Sequence, residues 1–308
     1  MRRRVTALAP ADKEQDTMAT DHYPSRKGGS ARIIDRVDPV VYPGGDGPLT
    51  AEEVTFFDKN GYLFLPGFFT PEETRVFIDE MNQVREANHG SARDDVIVEP
   101  GGGDVRSVFE IHKTGDRLKA LSSEPRIVSR IRQLLASDVY IHQSRINYKP
   151  GFKGKEFNWH SDFETWHVED GVPRMRMISC SVALTENNEF NGPLMVSPGS
   201  QRHYVCCAGE TPPDHFRQSL AAQELGVPDQ ESLTWLVDTY GLIQAKGPAG
   251  SVLLFDCNVM HGSNGNISPF PRSNVFFVYN SVGNTPVAPF SGLTPRPPFL
   301  GSRDFTPV

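Results

Sequence analysis

From Val139 onward the hydrophobic pattern changes its period from that of a helix to two, and this switch limits what the chain can become. Runs with strand character follow at 139–148, 156–163, 175–185 and 251–256, and a fifth covers 274–279. Asn191-Gly192 is a hairpin signal. Before the switch the signals are helical. Thr50 and Glu53 form a capping-box pair for a helix running through Phe56 and Phe57 to about Asn60, where Gly61 ends it. A short buried strand is expected at 62–65. Thr70-Pro71-Glu72-Glu73 starts a second helix bearing Val76, Phe77 and Met81 at helical spacing. A further helix is expected over 124–136, and 209–240 reads as a polar insertion with a short helical stretch. Helices first, then strands at turn-rich spacing, predict a mainly β fold: a double-stranded β-helix (jelly-roll, cupin-like) core with flanking α-helices. Residues 46–308 are expected to form one domain. Residues 1–45 are polar and lack apolar periodicity, so they read as a tail, either flexible or draped on the core, and removal of 1–30 is expected to leave the fold intact.

Charge and cysteine usage narrow the function. The formal net charge of −7 over 308 residues argues against nucleic acid, which requires a basic footprint. No apolar run is long enough to cross a membrane. The start, Met1 to Arg4, is basic but lacks the apolar core of an export signal. Cys180, Cys206, Cys207 and Cys257 form no C-x-x-C pair, and free thiols in a reducing cytoplasm are expected. Gly101-Gly102-Gly103 lacks the helix start of a phosphate-binding loop.

The chemistry concentrates in Phe157-Asn-Trp-His160-Ser-Asp162-Phe163. On an extended chain residues i and i+2 share a face, so one imidazole and one carboxylate project together. These are two ligands of a 2-His-1-carboxylate facial triad, which leaves open positions on iron(II). His261, after the run 251–255, is the candidate third ligand. Arg272 lies a short strand segment beyond His261, where oxygenases with such a triad need an arginine whose guanidinium fork pairs with the far carboxylate of 2-oxoglutarate, although a surface arginine is the bland alternative. His167 is off the two-residue period and reads as a loop residue, with a hydrogen-bonding role behind the metal ligands as the alternative. A zinc hydrolase is a weaker rival, since no H-E-x-x-H is present.

Gln143, Arg145 and Asn147 alternate along the strand that precedes the metal motif. Such a face is either solvated or lines an interior that holds a polar ligand. Phe157, Trp166, Phe255 and Phe276 are either core or walls of that interior.

FNWHSDFETWHVEDGVPRMRMISCSVALTENN, NGPLMVSPGSQ and FDCNVMHGSNGNISPFPRSNVFFVYN resemble the ectoine hydroxylases, a branch of the phytanoyl-CoA dioxygenase superfamily, over about residues 50–290. The resemblance implies hydroxylation of ectoine to 5-hydroxyectoine with 2-oxoglutarate and O2, releasing succinate and CO2. It places iron on His160, Asp162 and His261. It places the cosubstrate by Arg145, Asn147, Phe157, Ser181, Ser263 and Arg272, and ectoine by Gln143, Trp166, Phe255 and Phe276. Gln201 departs from the histidine common in the wider superfamily. The family also implies a homodimer acting in the cytoplasm. Two alternatives stay open: a hydroxylase of another small zwitterion such as proline, and a non-catalytic jelly-roll solute-binding module.

Overall fold

A computed structural model of the chain describes residues 20–99, 103–220 and 223–308. The basic start and Gly101-Gly102 lie outside them. In chain order the elements are β1 (Arg32–Asp35), α1 (Ala51–Asn60), β2 (Tyr62–Leu65), α2 (Pro71–Ala87), β3 (Val96–Val98), β4 (Val105–Phe109), α3 (Asp116–Ser122), α4 (Pro125–Leu135) and β5 (Val139–Lys149). There follow β6 (Phe157–His160), α5 (Asp162–Thr165), a π-helical turn (Trp166–Asp170), β7 (Met177–Ala183), β8 (Leu194–Val196) and β9 (His203–Cys206). The chain ends with α6 (Phe216–Ser219), α7 (Gln230–Tyr240), β10 (Ile243–Gln244), β11 (Val252–Asp256), β12 (His261–Ser263) and β13 (Arg272–Ser281).

Two antiparallel sheets make the barrel. The large one has the order β2-β11-β7-β13-β5-β4-β3, and the small one β10-β8-β12-β6. Helices back the outer face of the large sheet. Phe57, Phe77, Met81, Leu118, Ile127 and Ile131 pack there against Ile146, Cys180, Val182, Leu254, Val275 and Phe277. The intervening strand residues point the other way, into the space between the sheets. The local signals for α1 and α2 hold: both capping boxes are formed, and Gly61 closes α1 in the left-handed conformation, at φ 73°. Gln201 then finishes that helix end, its amide donating to Asp58 O and Lys59 O at 3.1 and 3.2 Å.

β5 carries a bulge. Its partner β13 pairs Val278 with Gln143 and Tyr279 with Ile141, so His142 is an extra residue. Ile141 therefore faces the helices, as Ile146 and Tyr148 do, whereas Gln143, Arg145, Asn147 and Lys149 share the opposite face.

Three expectations change. The strand expected at 156–163 ends at His160, and a one-turn helix begins at Asp162. Asn191-Gly192 does not join two adjacent strands. Residues 20–45 are not a flexible tail but the alternative, a segment draped on the core. β1 pairs with β9, Tyr23 is fully buried with its hydroxyl donating to Asp38 at 2.7 Å, and Arg36 forms a buried ion pair with Asp256 at 2.7 Å. Their partners are tertiary and far along the chain, which polar composition does not reveal. The four cysteines are free and buried. Among the described residues no helix is long and apolar enough to cross a membrane.

Candidate active site

His160 closes β6 and lies directly opposite His261 at the start of β12, so antiparallel pairing brings together two histidines distant in sequence. Ser161 is still extended, at φ −103° and ψ 129°, before the chain turns into α5. The i, i+2 geometry therefore persists to Asp162 even though the strand does not. Ligand atoms of His160, Asp162 and His261 all lie within 4.8 Å of one another, the one such cluster among the described residues. Asp162 Oδ1 stands 3.5 Å from His160 Nε2 and 3.8 Å from His261 Nε2.

The groups around these three prepare them for a cation. His160 Nδ1 donates to Asn158 O at 2.7 Å and His261 Nδ1 to Val259 O at 3.0 Å. Each ring is thereby fixed with its Nε2 lone pair toward the partner ligands. Ser179 donates its hydroxyl to Asp162 Oδ2 at 3.0 Å, which leaves Oδ1 for the metal. Burial alone would raise the Asp162 carboxyl, but His261, His160 and Arg145 override it and hold the group well below the usual range. Burial, with His160 beside it, pushes His261 down to about 4, so its imidazole is neutral and able to ligate. The donor set of two imidazoles and one carboxylate fits iron(II) with coordination sites left open.

A cavity of about 420 Å³ opens beside the triad. His160, Asp162, Gln143, Arg145, Asn147, Phe157 and Trp166 line it. The other expected contact residues, Ser181, Phe255, Ser263, Arg272 and Phe276, are buried and do not line this cavity. Phe255 meets the His261 ring edge-to-face at 5.0 Å. The Arg145 guanidinium lies 5.2 Å from the Phe276 ring centre, and its Nη1 donates to Gln143 Oε1 at 2.9 Å. Ser181 accepts from Asn274 Nδ2 at 2.9 Å.

Arg272 begins β13 and is buried between the sheets, and burial lowers its guanidinium to about 10. Its Nε and Nη1 have no partner within the protein, nor has Arg145 Nε. A buried guanidinium with idle donors is costly unless an anion meets it, which is the fit expected for a dicarboxylate. Lys149 pairs with Arg272 across β5 and β13. Its Nζ donates to Ser263 Oγ at 2.8 Å and to Asn264 O at 2.5 Å. Burial, with the Arg272 and Arg106 charges, brings it down to about 6.

Sequence reasoning missed several of these groups. Lys149 continues the Gln143, Arg145, Asn147 alternation and was detectable from that period. Arg296 and Leu300 line the cavity from the C-terminal segment, with Arg296 held bidentately by Asp170 at 2.7 and 2.6 Å and Leu300 O accepting from Gln143 Nε2 at 2.7 Å. No local motif marks them. His167 is not a loop residue. It sits buried in the π-helical turn, bonded to Val172 O and Asp21 and stacked on Phe290, away from the ligand set.

A family model described as phytanoyl-CoA dioxygenase matches residues 57–274. An ectoine dioxygenase from Stutzerimonas stutzeri is 49% identical over 294 residues, 94% of this chain and 97% of its own. The ectoine dioxygenase of Nocardia farcinica is 52% identical over 290 residues, 94% and 95% of the two chains. Among solved structures, EctD from S. alaskensis with bound Fe aligns with a TM-score of 0.82 at 45% identity over 92% of this chain and 95% of that one. The same protein with 2-oxoglutarate and 5-hydroxyectoine aligns with a TM-score of 0.82 at 46% identity, covering 94% and 96%. A non-haem α-ketoglutarate-dependent carbocyclase at 20% identity, TM-score 0.58, shares the fold.

Proposed function

Because the chain belongs to the phytanoyl-CoA dioxygenase family and, within it, to the ectoine dioxygenases, we propose that it hydroxylates ectoine to 5-hydroxyectoine. The observation that carries the chemistry is the His160, Asp162, His261 cluster facing a polar cavity. Bound iron(II) and 2-oxoglutarate supply the oxidising power from O2, and succinate and CO2 leave.

The chain's own residues bind, orient and exclude. Arg272 meets the far carboxylate of 2-oxoglutarate with its idle Nε and Nη1 donors, and Lys149 and Ser263 stand beside it. Arg145, Asn147, Phe157 and Ser181 shape the rest of the cosubstrate site. Gln143, Trp166, Phe255 and Phe276 hold ectoine, whose delocalised cationic ring suits aromatic faces and whose carboxylate suits nearby donors. Arg296 adds a cationic edge at the same cavity. Asp162 as a third ligand favours hydroxylation over halogenation, in which that position is given to chloride. The buried aromatics keep water from the reacting carbon. The protein acts as a homodimer in the cytoplasm, with residues 46–308 as one catalytic domain joined by the packed segment 20–45.

Incubation with ectoine, iron(II), 2-oxoglutarate and air should give a product one oxygen atom heavier, with one succinate per product. Proline offered in place of ectoine should stay unmodified. Hydroxylation of proline but not ectoine would transfer the assignment to another zwitterion, and tight ectoine binding without succinate release would make the chain a solute-binding module.

A further inference from the structure

The segment just after the iron ligand is held from outside the barrel. Glu164 and Glu169 flank Thr165 and Trp166, which line the cavity, and both carboxylates are buried. Between them lies the guanidinium of Arg26, also without solvent exposure. Its Nε donates to Glu164 Oε1 at 2.9 Å, its Nη2 to Glu164 Oε2 at 2.5 Å and to Thr165 Oγ1 at 3.2 Å, and its Nη1 to Glu169.

The chain holds Arg26 in place on both sides. Arg26 N donates to Cys207 O at 2.9 Å, and Cys207 N donates to Ser25 Oγ at 2.8 Å. Ser25 Oγ in turn donates to Glu164 Oε1 at 2.6 Å. Arg26 itself adopts φ 53°, a backbone conformation costly for a side-chain-bearing residue that persists only where surroundings impose it. From the insertion, His215 contacts Glu169 at 3.0 Å and lines the cavity. Gly226 packs so closely over the Arg26–Glu164 pair that a Cβ would overlap both.

Two buried carboxylates and one guanidinium form an expensive arrangement for stability alone, since an apolar cluster of the same size would do as well. What it achieves is geometric: a rigid bidentate fork fixes the one-turn helix that starts with Asp162 and ends beside Trp166. The geometry points to Arg26 as a positioning residue for the hydroxylation, one that orients the Thr165–Trp166 wall against the substrate from a segment outside the barrel. The inference rests on the ectoine reading above.

The test uses the full-length, iron-loaded enzyme with two variants. Arg26→Lys keeps the charge and loses the fork. Glu164→Gln is isosteric and removes one of the two carboxylates, so the remaining charges balance. Each is assayed for its ectoine KM, its cosubstrate KM and the ratio of 2-oxoglutarate consumed to ectoine hydroxylated. Loss of a partner that orients an active-site element costs about ten- to a hundredfold in activity, and here it should appear as a raised ectoine KM and excess 2-oxoglutarate consumption. The cosubstrate KM should stay near wild type, because Arg272 lies on β13, outside this cluster. A folded variant with wild-type ectoine KM and one-to-one consumption, and only a lower melting temperature, overturns the assignment. Failure of both variants to fold does so too, since the cluster is then a stability element. Failure of the wild-type enzyme to hydroxylate ectoine would instead defeat the functional reading.

Discussion

The two faces of β5 are built to opposite rules. Toward the helices it presents Ile141, Ile146 and Tyr148, packed into one continuous apolar layer with α4 and the neighbouring strands. Toward the small sheet it presents Gln143, Arg145, Asn147 and Lys149, buried or nearly so, with Arg145 Nε left without a partner. The outer face satisfies itself by area removed from water. The inner face leaves Arg145 Nε, and Arg272 Nε and Nη1 on the neighbouring β13, for an anion to meet. Stability and chemistry are thus separated by the thickness of a single strand, and substitutions on the two sides should fail in different ways.

The largest effect belongs to the inner face. His160→Ala, Asp162→Ala or His261→Ala each removes a metal ligand and should take turnover below detection, with iron lost on gel filtration and the circular-dichroism melt little changed. Near-wild-type activity in any of the three removes that residue from the ligand set. On the outer face, Ile146→Ala should cost about 2–5 kcal/mol of stability by the usual range for a buried aliphatic deletion. Denaturant melts check this, and kcat below the transition should be unchanged. If Ile146→Ala loses activity while keeping its stability, the separation of the faces is false.

Back on the inner face, Arg272→Lys retains charge without the fork. A charge-assisted bond contributes roughly 1.5–3 kcal/mol, so 2-oxoglutarate affinity should drop about ten- to a hundredfold. Ectoine affinity should move much less, and an equal loss of both would place Arg272 elsewhere. The smallest effect is a proton. Lys149 falls from 10.5 to about 6 in the ligand-free protein, so it is mostly neutral near pH 8. An arriving carboxylate favours its charged form, raising its pKa. Cosubstrate binding should therefore take up a proton between these limits and weaken as pH rises through them. Calorimetry in two buffers of different ionisation enthalpy measures the uptake, and zero uptake detaches Lys149 from the site.

Legibility in the sequence followed the range of the interactions. α1 and α2 were readable because a capping box joins residues three apart. The inner face of β5 was readable because alternation is local, although the bulge at His142 was not. The triad was readable from one spacing and one distant histidine, and the resemblance supplied the expected contact residues. What stayed hidden depends on long-range partners: Arg26 meets Glu164 across 138 positions, and Arg296 meets Asp170 across 126. A polar N-terminal stretch looks the same to composition whether it floats or completes a buried ion network. Asp162 at a helix start was missed for a related reason, since Phe163 N is anchored on Cys257 O at 2.9 Å.

The central claim is that one interior face holds iron, cosubstrate and substrate together. Anaerobic titration of the metal-free protein with iron(II) and then 2-oxoglutarate tests it most directly. A weak visible charge-transfer band should appear only when both are present, shift when ectoine is added, and be absent in Asp162→Ala. A band in the Asp162→Ala protein equal to that of the wild type, or no response of the wild-type band to ectoine, would contradict it.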